Sequence, residues 1–160
     1  MNRLYSMPSI IDQRARVLIL GSFPSAASLA AQQYYAHPQN QFWRILAALL
    51  KQPLLEMDYA NRQEALKNAG IAVWDVFASC ERAGSLDSAI RQPVFNDFSQ
   101  LQQWAPDLQR VCFNGQTAAK LQKHLASFGY RVSILPSSSP AHASRSLEEK
   151  NELWRDAVIF

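Results

Sequence analysis

The ten residues from Tyr34 to Trp43, YYAHPQNQFW, place four aromatic rings, a histidine and an amide close together, and no simple period organises them. A ring at the mouth of a cleft can stack on a flat ligand. An amide beside that ring, here Asn40, can hold a base or a water molecule, although Asn40 also stands where a helix N-cap would precede QFWRIL. The segment therefore indicates a site for a planar heterocycle, such as a nucleic acid base.

The four rings are expected to divide between a core and a cleft, since they cannot all enter one core from a loop that contains proline. Phe42 and Trp43 are predicted to start the following helix and to anchor it. Tyr34 and Tyr35 precede His-Pro and have no partners at helical spacing. We therefore predict that these two tyrosines lie at the mouth of the cleft.

The elements that would position this segment alternate along the chain. Short, continuously apolar and β-branched segments predict buried strands at Val17–Leu20, Ile71–Phe77, Arg110–Phe113 and Arg131–Leu135. Helical patterns lie between and after them, at Asn40–Lys51, Asn61–Asn68, Asn96–Ala105, Gln116–Phe128 and Ser146–Phe160. This alternation predicts one α/β domain over residues 1–160, with a parallel sheet covered by helices.

Ligands of open parallel sheets bind at the carboxyl ends of the strands, which directs attention to four loops. The first loop contains the aromatic segment, and the others are ASCERAGSLDS, NGQTAAK and PSSSPAHASR. The first loop begins GSFPSAAS and lacks the spacing of a phosphate-binding loop. Ser138 and Ser139 lack the G-x-S-x-G context of a nucleophile, so a loop that contacts a ligand through its backbone is the better interpretation.

Composition excludes several other classes of protein. The chain has 160 residues and a net charge of +3, which permits a polyanionic partner without requiring one. Two cysteines and three scattered histidines offer no metal-binding cluster, so neither a metal nor a cofactor is expected. Nothing forces a disulfide, and neither a signal peptide nor an 18-residue apolar run occurs, so a cytoplasmic monomer without membrane contact is expected.

Five segments of the chain together resemble a known family. They are GSFPS, YYAHPQNQFW, WDVFASCERAGSLDS, FNGQTAAK and LPSSSPAHAS, in this order and on loops after the expected strands. The first two match the G-x-x-P and A-H-P-x-N-x-F-W pattern of the uracil-DNA glycosylase superfamily, and LPSSSPAHA resembles its second motif. As a set, the segments are most similar to the hypoxanthine-DNA (deoxyinosine) glycosylase family.

The resemblance implies a three-layer α/β/α fold with a four-stranded parallel sheet. It implies hydrolysis of the N-glycosidic bond of a deaminated base in double-stranded DNA, by base flipping and without a cofactor. The family attributes catalysis to the asparagine of H-P-x-N, which is Asn40 here. Asn114 is expected to help by stabilising the departing base and by donating its amide to the O6 or N7 atom of hypoxanthine.

The same resemblance suggests how the other site residues act. Phe23 and Tyr35 would contact the base, with Tyr35 stacked on the purine. Asp75 would accept the N1–H of hypoxanthine, or would instead cap the loop that follows it. The predicted DNA-binding residues form a wedge loop after the last strand: Ser137, Ser138, Ser139, Pro140, Ala141 and His142. Arg82 and Arg145 would meet phosphates or would serve as ordinary surface charges.

Two departures from the superfamily pattern bear on the substrate. Phe23 stands where uracil-removing relatives carry an Asp or Asn that assists the attacking water, and Ser137 replaces a histidine of the strongest uracil enzymes. We therefore expect deoxyinosine to be preferred over deoxyuridine. Two alternatives stay open from the sequence: a mismatch-specific uracil-DNA glycosylase, and a non-catalytic module that binds damaged bases or nucleotides.

Overall fold

A computed structural model describes residues 2–140 and 145–160. Numbered in chain order, its strands are β1 (Arg3–Tyr5), β2 (Val17–Gly21), β3 (Ile71–Asp75), β4 (Phe77–Glu81), β5 (Arg91–Phe95), β6 (Arg110–Asn114) and β7 (Arg131–Leu135). Four of them form the central sheet in the order β3-β2-β6-β7, and all neighbours pair in parallel. The predicted four-stranded parallel sheet is therefore confirmed.

The helices are α1 (Ala26–Ala31), α2 (Phe42–Leu50), α3 (Tyr59–Asn68), α4 (Leu101–Trp104), α5 (Gln122–Ser127) and α6 (Leu147–Val158). They lie on both faces of the central sheet. Successive strand residues point to opposite sides, so the apolar side chains on each face pack against a separate set of helices. Val17 and Ile19 belong to the core that includes residues of α2, α3 and α6. Leu18 and Leu20 belong to a second core with residues of α4 and α5. This is the expected three-layer arrangement.

Several helices differ in extent from their prediction. The pattern over Asn96–Ala105 yields only the short α4, and Gln116–Phe128 divides into a 3₁₀ turn at Ala118–Leu121 followed by α5. Helix α1, whose N-cap is Ser25, was not predicted because it is short and lies within a loop. Helix α6 begins with a capping box formed by Ser146 and Glu149.

A second, antiparallel sheet in the order β1-β4-β5 was not predicted. The predicted strand Ile71–Phe77 ends at Asp75. Phe77 instead begins β4, whose other residues lie in the segment ASCERAGSLDS that was interpreted as a loop. Strand β1 pairs with β4 so that Tyr5 lies opposite Ser79. This pairing brings the residue after β1, Ser6, to the carboxyl end of β3. No helix among residues 2–140 and 145–160 is long and apolar enough to cross a membrane.

Candidate active site

A cleft of about 830 Å³ lies at the carboxyl edge of the central sheet. It is lined by Asp75 at the end of β3 and by residues that end or follow β2, β6 and β7. From β2 the chain continues to β3, toward one edge of the sheet, and from β6 it continues to β7, toward the other edge. Open α/β sheets bind their ligands at such a reversal of strand order, so the cleft lies where the sequence predicts a site.

Gly21 ends β2 at the bottom of this cleft. A Cβ atom at this position would lie 2.8 Å from Asp75 Oδ1 and 2.8 Å from the Tyr35 hydroxyl oxygen. Non-bonded carbon and oxygen atoms do not approach so closely, so any other residue would push both groups away. Glycine thus allows a carboxyl group and a phenol to lie close to the same backbone position.

Asp75 is buried in the cleft, with 3% of its surface exposed. Burial raises the pKa of its carboxyl group to about 7, against the opposing effect of a hydrogen bond from Ser6. The Ser6 hydroxyl donates to Oδ2 at 2.9 Å and is the one described group that donates to this carboxyl. The next two backbone amides donate to the carbonyls of Gly21 and Ser22, so Asp75 does not cap the loop that follows it.

Tyr35 lines the cleft and is supported from behind. Its ring stacks on Phe42 with 4.0 Å between centroids and 17° between planes. Its φ of 56° is a left-handed conformation that is uncommon for a bulky residue. Burial raises the pKa of its hydroxyl, which accepts a hydrogen bond from Asn114 Nδ2 at 3.2 Å. One ring face is thus covered by protein, which fits a platform whose other face meets a ligand.

The prediction that Tyr34 lies at the mouth of the cleft as a stacking platform is wrong. Tyr34 is 3% exposed and belongs to the same core as Phe42 and Trp43, so three of the four rings enter one core. Its hydroxyl donates to the Met7 carbonyl at 3.1 Å, and its own carbonyl accepts from Trp43 Nε1 at 2.9 Å. These bonds satisfy the polar atoms of both rings, which makes their burial possible.

Asn40 lines the cleft in front of α2. Its Oδ1 accepts a hydrogen bond from the Phe42 amide at 2.9 Å, so the side chain supports the start of α2, although the N-cap residue is Gln41 and not Asn40 as predicted. Within the described part of the chain, its Nδ2 group donates to no protein atom. The side chain is therefore held in a fixed orientation by its oxygen while its NH2 group stays available to a ligand or a water molecule.

The amide of Asn114 joins β6 to the loop after β7. Its Oδ1 accepts from the Ser138 backbone amide at 2.9 Å, and its Nδ2 donates to Ser138 Oγ at 2.9 Å and to Tyr35. Both N–H groups of Asn114 are consequently occupied by protein acceptors. The structure thus gives Asn114 a positioning role for Tyr35 and for the last loop, beside the contact with the base that the sequence suggests.

The residues of the predicted wedge loop differ in exposure. Ser137 and Ser139 are half-buried, Pro140 is exposed, and Ser138 is 1% exposed because Asn114 and the Gln41 amide both bond to it. Ala141 and His142 lie outside the described residues. In the described part of this loop, only Pro140 is exposed.

Phe23 and Arg82 form a buried pair beside the cleft. Phe23 lines the cleft and is 7% exposed, and the Arg82 guanidinium lies over its ring at 5.2 Å from the centroid. Arg82 is 4% exposed and donates to the carbonyls of Pro24 and Gly84. A phosphate contact through Arg82 is therefore ruled out in this conformation, whereas Arg145 is exposed and lines the cleft.

No group of three or more His, Cys, Asp or Glu residues that could hold a metal ion occurs over the described ranges. His37 lines the cleft, and its Nδ1 accepts from the Gln39 amide at 3.1 Å. Cys80 and Cys112 are both buried and free. The polar groups that line the cleft are thus amides, hydroxyls and carboxylates, together with the His37 imidazole and the Arg145 guanidinium.

Ser6 is the site residue that sequence reasoning missed. It lies 69 residues from Asp75, and only the pairing of β1 with β4 brings the two together. Ser22 and Asp87 were missed for a similar reason: the Ser22 hydroxyl donates to Asp87 Oδ1 at 2.7 Å across the cleft rim. No sequence pattern that we recognise would have revealed either contact.

Known proteins are similar to this chain in both sequence and architecture. Residues 8–158 match the Uracil DNA glycosylase superfamily. A relative from Methanosarcina barkeri, described as a hypoxanthine DNA glycosylase, is 41% identical over 150 residues, which cover 94% of each chain. A relative from Methanosarcina acetivorans with the same description is 40% identical over 145 residues, which cover 91% of this chain and 92% of the relative.

A solved structure gives the same result for the fold. The solution NMR structure of a provisionally assigned uracil DNA glycosylase from Methanosarcina acetivorans is 37% identical and aligns with a TM-score of 0.86. The alignment covers 98% of this chain and 99% of that one. Because sequence and structure agree over nearly the whole chain, this protein belongs to the uracil DNA glycosylase superfamily.

Proposed function

We propose that this chain is a monofunctional DNA glycosylase that removes hypoxanthine from deoxyinosine in double-stranded DNA. The observation that carries the proposal is the arrangement around Gly21, where the Asp75 carboxyl and the Tyr35 hydroxyl approach one backbone position in a cleft that Asn40 also lines. Two relatives described as hypoxanthine DNA glycosylases support the choice of base.

Recognition begins when the nucleotide rotates out of the duplex, which costs a few kcal/mol and costs less for a mispaired base. The purine stacks on the cleft side of Tyr35, and Asp75 accepts the N1–H of hypoxanthine through Oδ1. Adenine has no hydrogen at N1 and would leave the buried carboxylate unpaired, which is a strong basis for rejection. Phe23 closes the site beside the base and offers no polar group to a water molecule.

Hydrolysis then proceeds at the sugar. Asn40 positions a water molecule, whose oxygen forms the new bond to C1′ while the C1′–N9 bond breaks and the base leaves with the electron pair. The base takes up a proton, and the abasic site keeps the hydroxyl. Asn114 stabilises the departing base if a base atom replaces the Tyr35 hydroxyl as acceptor of its N–H group, which is reasonable because that bond is long at 3.2 Å.

The proposed enzyme acts as a monomer, since one chain supplies every group named above. Its free, buried cysteines are consistent with the reducing cytoplasm. Pro140 and its neighbours contact the strand beside the flipped nucleotide. Arg145 lies on the cleft rim, where a phosphate contact would fix the position of the strand without reading its sequence.

The test is an excision assay on labelled duplexes that contain deoxyinosine, deoxyuridine or deoxyxanthosine opposite the same base, followed by alkaline cleavage of abasic sites. Deoxyinosine should be processed fastest under single-turnover conditions. Equal or faster removal of uracil would favour the mismatch-specific uracil glycosylase instead. Specific binding to a deoxyinosine duplex without any abasic product would favour the non-catalytic module, which the apolar Phe23 makes a real alternative.

A further inference from the structure

The loop between β4 and β5 is braced against the loop that follows β2. The Ala26 amide donates to Ser85 Oγ at 2.9 Å, and the Ser22 hydroxyl donates to Asp87 Oδ1 at 2.7 Å. Arg82, at the base of the same loop, is buried and donates to the Pro24 carbonyl. Three contacts therefore hold residues 82–87 over the cleft rim, although most of this segment is exposed.

Leu86 lies between two of these braces. Its neighbours in the chain, Ser85 and Asp87, each make one of the hydrogen bonds to the first loop, and its own carbonyl accepts from the Ala89 amide at 3.0 Å. Its side chain lines the cleft and is 59% exposed. The backbone thus presents the Leu86 side chain at a fixed place on the rim, where Ile134 and Leu153 also line the cleft but are less exposed.

A single exposed leucine needs no explanation by itself, since such residues are common on protein surfaces. Leu55 is an example: it is 52% exposed in the 3₁₀ turn Leu54–Glu56 and does not line the cleft. Leu86 differs because it shares one cleft with Asn40 and Asp75 and because its neighbours restrain it. A ligand in that cleft can therefore reach Leu86.

The proposed substrate, a nucleotide rotated out of a duplex, indicates what Leu86 would contact. Rotating a nucleotide out of a duplex exposes the flat, apolar faces of the neighbouring bases, and proteins that hold such a gap open insert Leu, Ile, Met, Phe or Pro between base steps. A leucine on a restrained backbone is suited to this task, because little backbone entropy is lost when it inserts. Its serine and aspartate neighbours would stay in water at the groove.

We propose that Leu86 is a wedge that enters the base stack beside the flipped nucleotide, from the β4–β5 loop and in addition to the loop at residues 137–140. The proposal rests on the DNA-binding part of the proposed function. Leu86 touches neither the sugar nor the glycosidic bond. It holds the nucleotide out of the helix by filling the space that the base has left.

The experiment compares Leu86→Ala, Leu86→Gln and Leu86→Met with wild type and with the matched control Leu55→Ala. Single-turnover excision is measured on deoxyinosine opposite cytosine and opposite an abasic site, where pairing no longer opposes flipping. Loss of the buried apolar contact should slow Leu86→Ala about tenfold on the paired substrate and far less on the unpaired one. Leu86→Gln should behave like alanine, and Leu86→Met and Leu55→Ala like wild type.

A second readout does not depend on chemistry. 2-Aminopurine placed next to deoxyinosine should brighten when Asn40→Ala protein binds, because its stacking is lost, and should brighten less with Asn40→Ala/Leu86→Ala. If the wild-type protein produced this Leu86-dependent fluorescence increase without excising the base, the proposed chemistry would be wrong. The proposal that Leu86 acts as a wedge would still hold. Unchanged excision and fluorescence in Leu86→Ala, or equal losses on paired and unpaired substrates, would overturn the wedge.

Discussion

Ser6 and Asp75 are 69 residues apart and are joined by a hydrogen bond of 2.9 Å from the serine hydroxyl to Oδ2. This bond uses one carboxylate oxygen and leaves Oδ1 beside Gly21, where the proposed base would lie. It also stabilises the ionised form of a carboxyl group that burial would otherwise keep neutral. The strand that precedes Ser6 thereby influences the charge of the cleft.

The first prediction concerns the pH dependence of excision. The carboxylate of Asp75 accepts the N1–H of hypoxanthine more strongly than the protonated acid does, so the single-turnover rate should rise as the pH increases through about 7. Ser6→Ala removes a hydrogen bond that lowers this pKa and should move the rise to higher pH. Ser6→Thr keeps the hydroxyl and should restore the wild-type profile. An unshifted pH profile in Ser6→Ala would contradict the assignment of the pH dependence to Asp75. Arg82 and Asp87, whose charges also act on the pKa of Asp75, are the same in all variants.

A second prediction concerns stability. The folded-state pKa of Asp75, about 7, lies above its ordinary value of 3.8, so between these pH values the folded state binds more protons than the unfolded state. The free energy of unfolding should therefore fall by a few kcal/mol as the pH rises through this window. Asp75→Asn should lack this decrease. Urea unfolding at both ends of the window measures it, and equal pH dependence in the two proteins would argue against a buried, ionising carboxyl.

A third prediction separates the two halves of the Asn40 side chain. Asn40→Ala should lower the single-turnover rate by a factor on the order of 10² to 10³ and should also lose the hydrogen bond to the Phe42 amide. Asn40→Asp keeps an acceptor for that amide and removes the NH2 group. If the amide serves catalysis, both variants should be slow, and only the alanine variant should be less stable. A rate in Asn40→Ala within about threefold of wild type would remove Asn40 from the catalytic site.

The fourth prediction tests the contact at Gly21. Gly21→Ala introduces a Cβ that would lie 2.8 Å from both Asp75 Oδ1 and the Tyr35 hydroxyl. Overpacking of this kind destabilises proteins by about 1 to 3 kcal/mol, and here it should also displace the carboxyl and reduce deoxyinosine binding. Tyr35→Phe removes one of the two oxygen atoms, so the double variant should recover part of the lost stability in a double-mutant cycle. Additive losses would show that the phenol does not crowd position 21.

Most of the central sheet was predictable because β2, β3 and β6 are largely covered on both faces. Val17–Gly21 is buried at every position, which produces the continuous apolar run that the sequence displays. Strand β5, RQPVF, is exposed at every position and contains a proline, so no apolar pattern indicates it. Edge strands of this kind form because a neighbour supplies hydrogen bonds, which composition does not reveal.

The site was predictable to a different degree at each residue. Asp75 and Asn114 end strands and Asn40 precedes a helix, and the structure places all three in one cleft. Tyr34 was misplaced because its burial depends on hydrogen bonds with Met7 and Trp43, which sequence spacing does not encode. Ser6 was missed because its neighbour is determined by an antiparallel pairing that was itself not predicted.

The link between Asn114 and Ser138 has a consequence for protein synthesis. Asn114 requires a partner 24 residues further along the chain, and Gln41, in front of α2, receives a hydrogen bond from Lys150, 109 residues later. A ribosome-bound chain that ends before these partners cannot complete the cleft. A partly made protein that lacks residue 150 would therefore leave the bases of a nearby nucleic acid intact, and base excision would become possible only after that residue has been added.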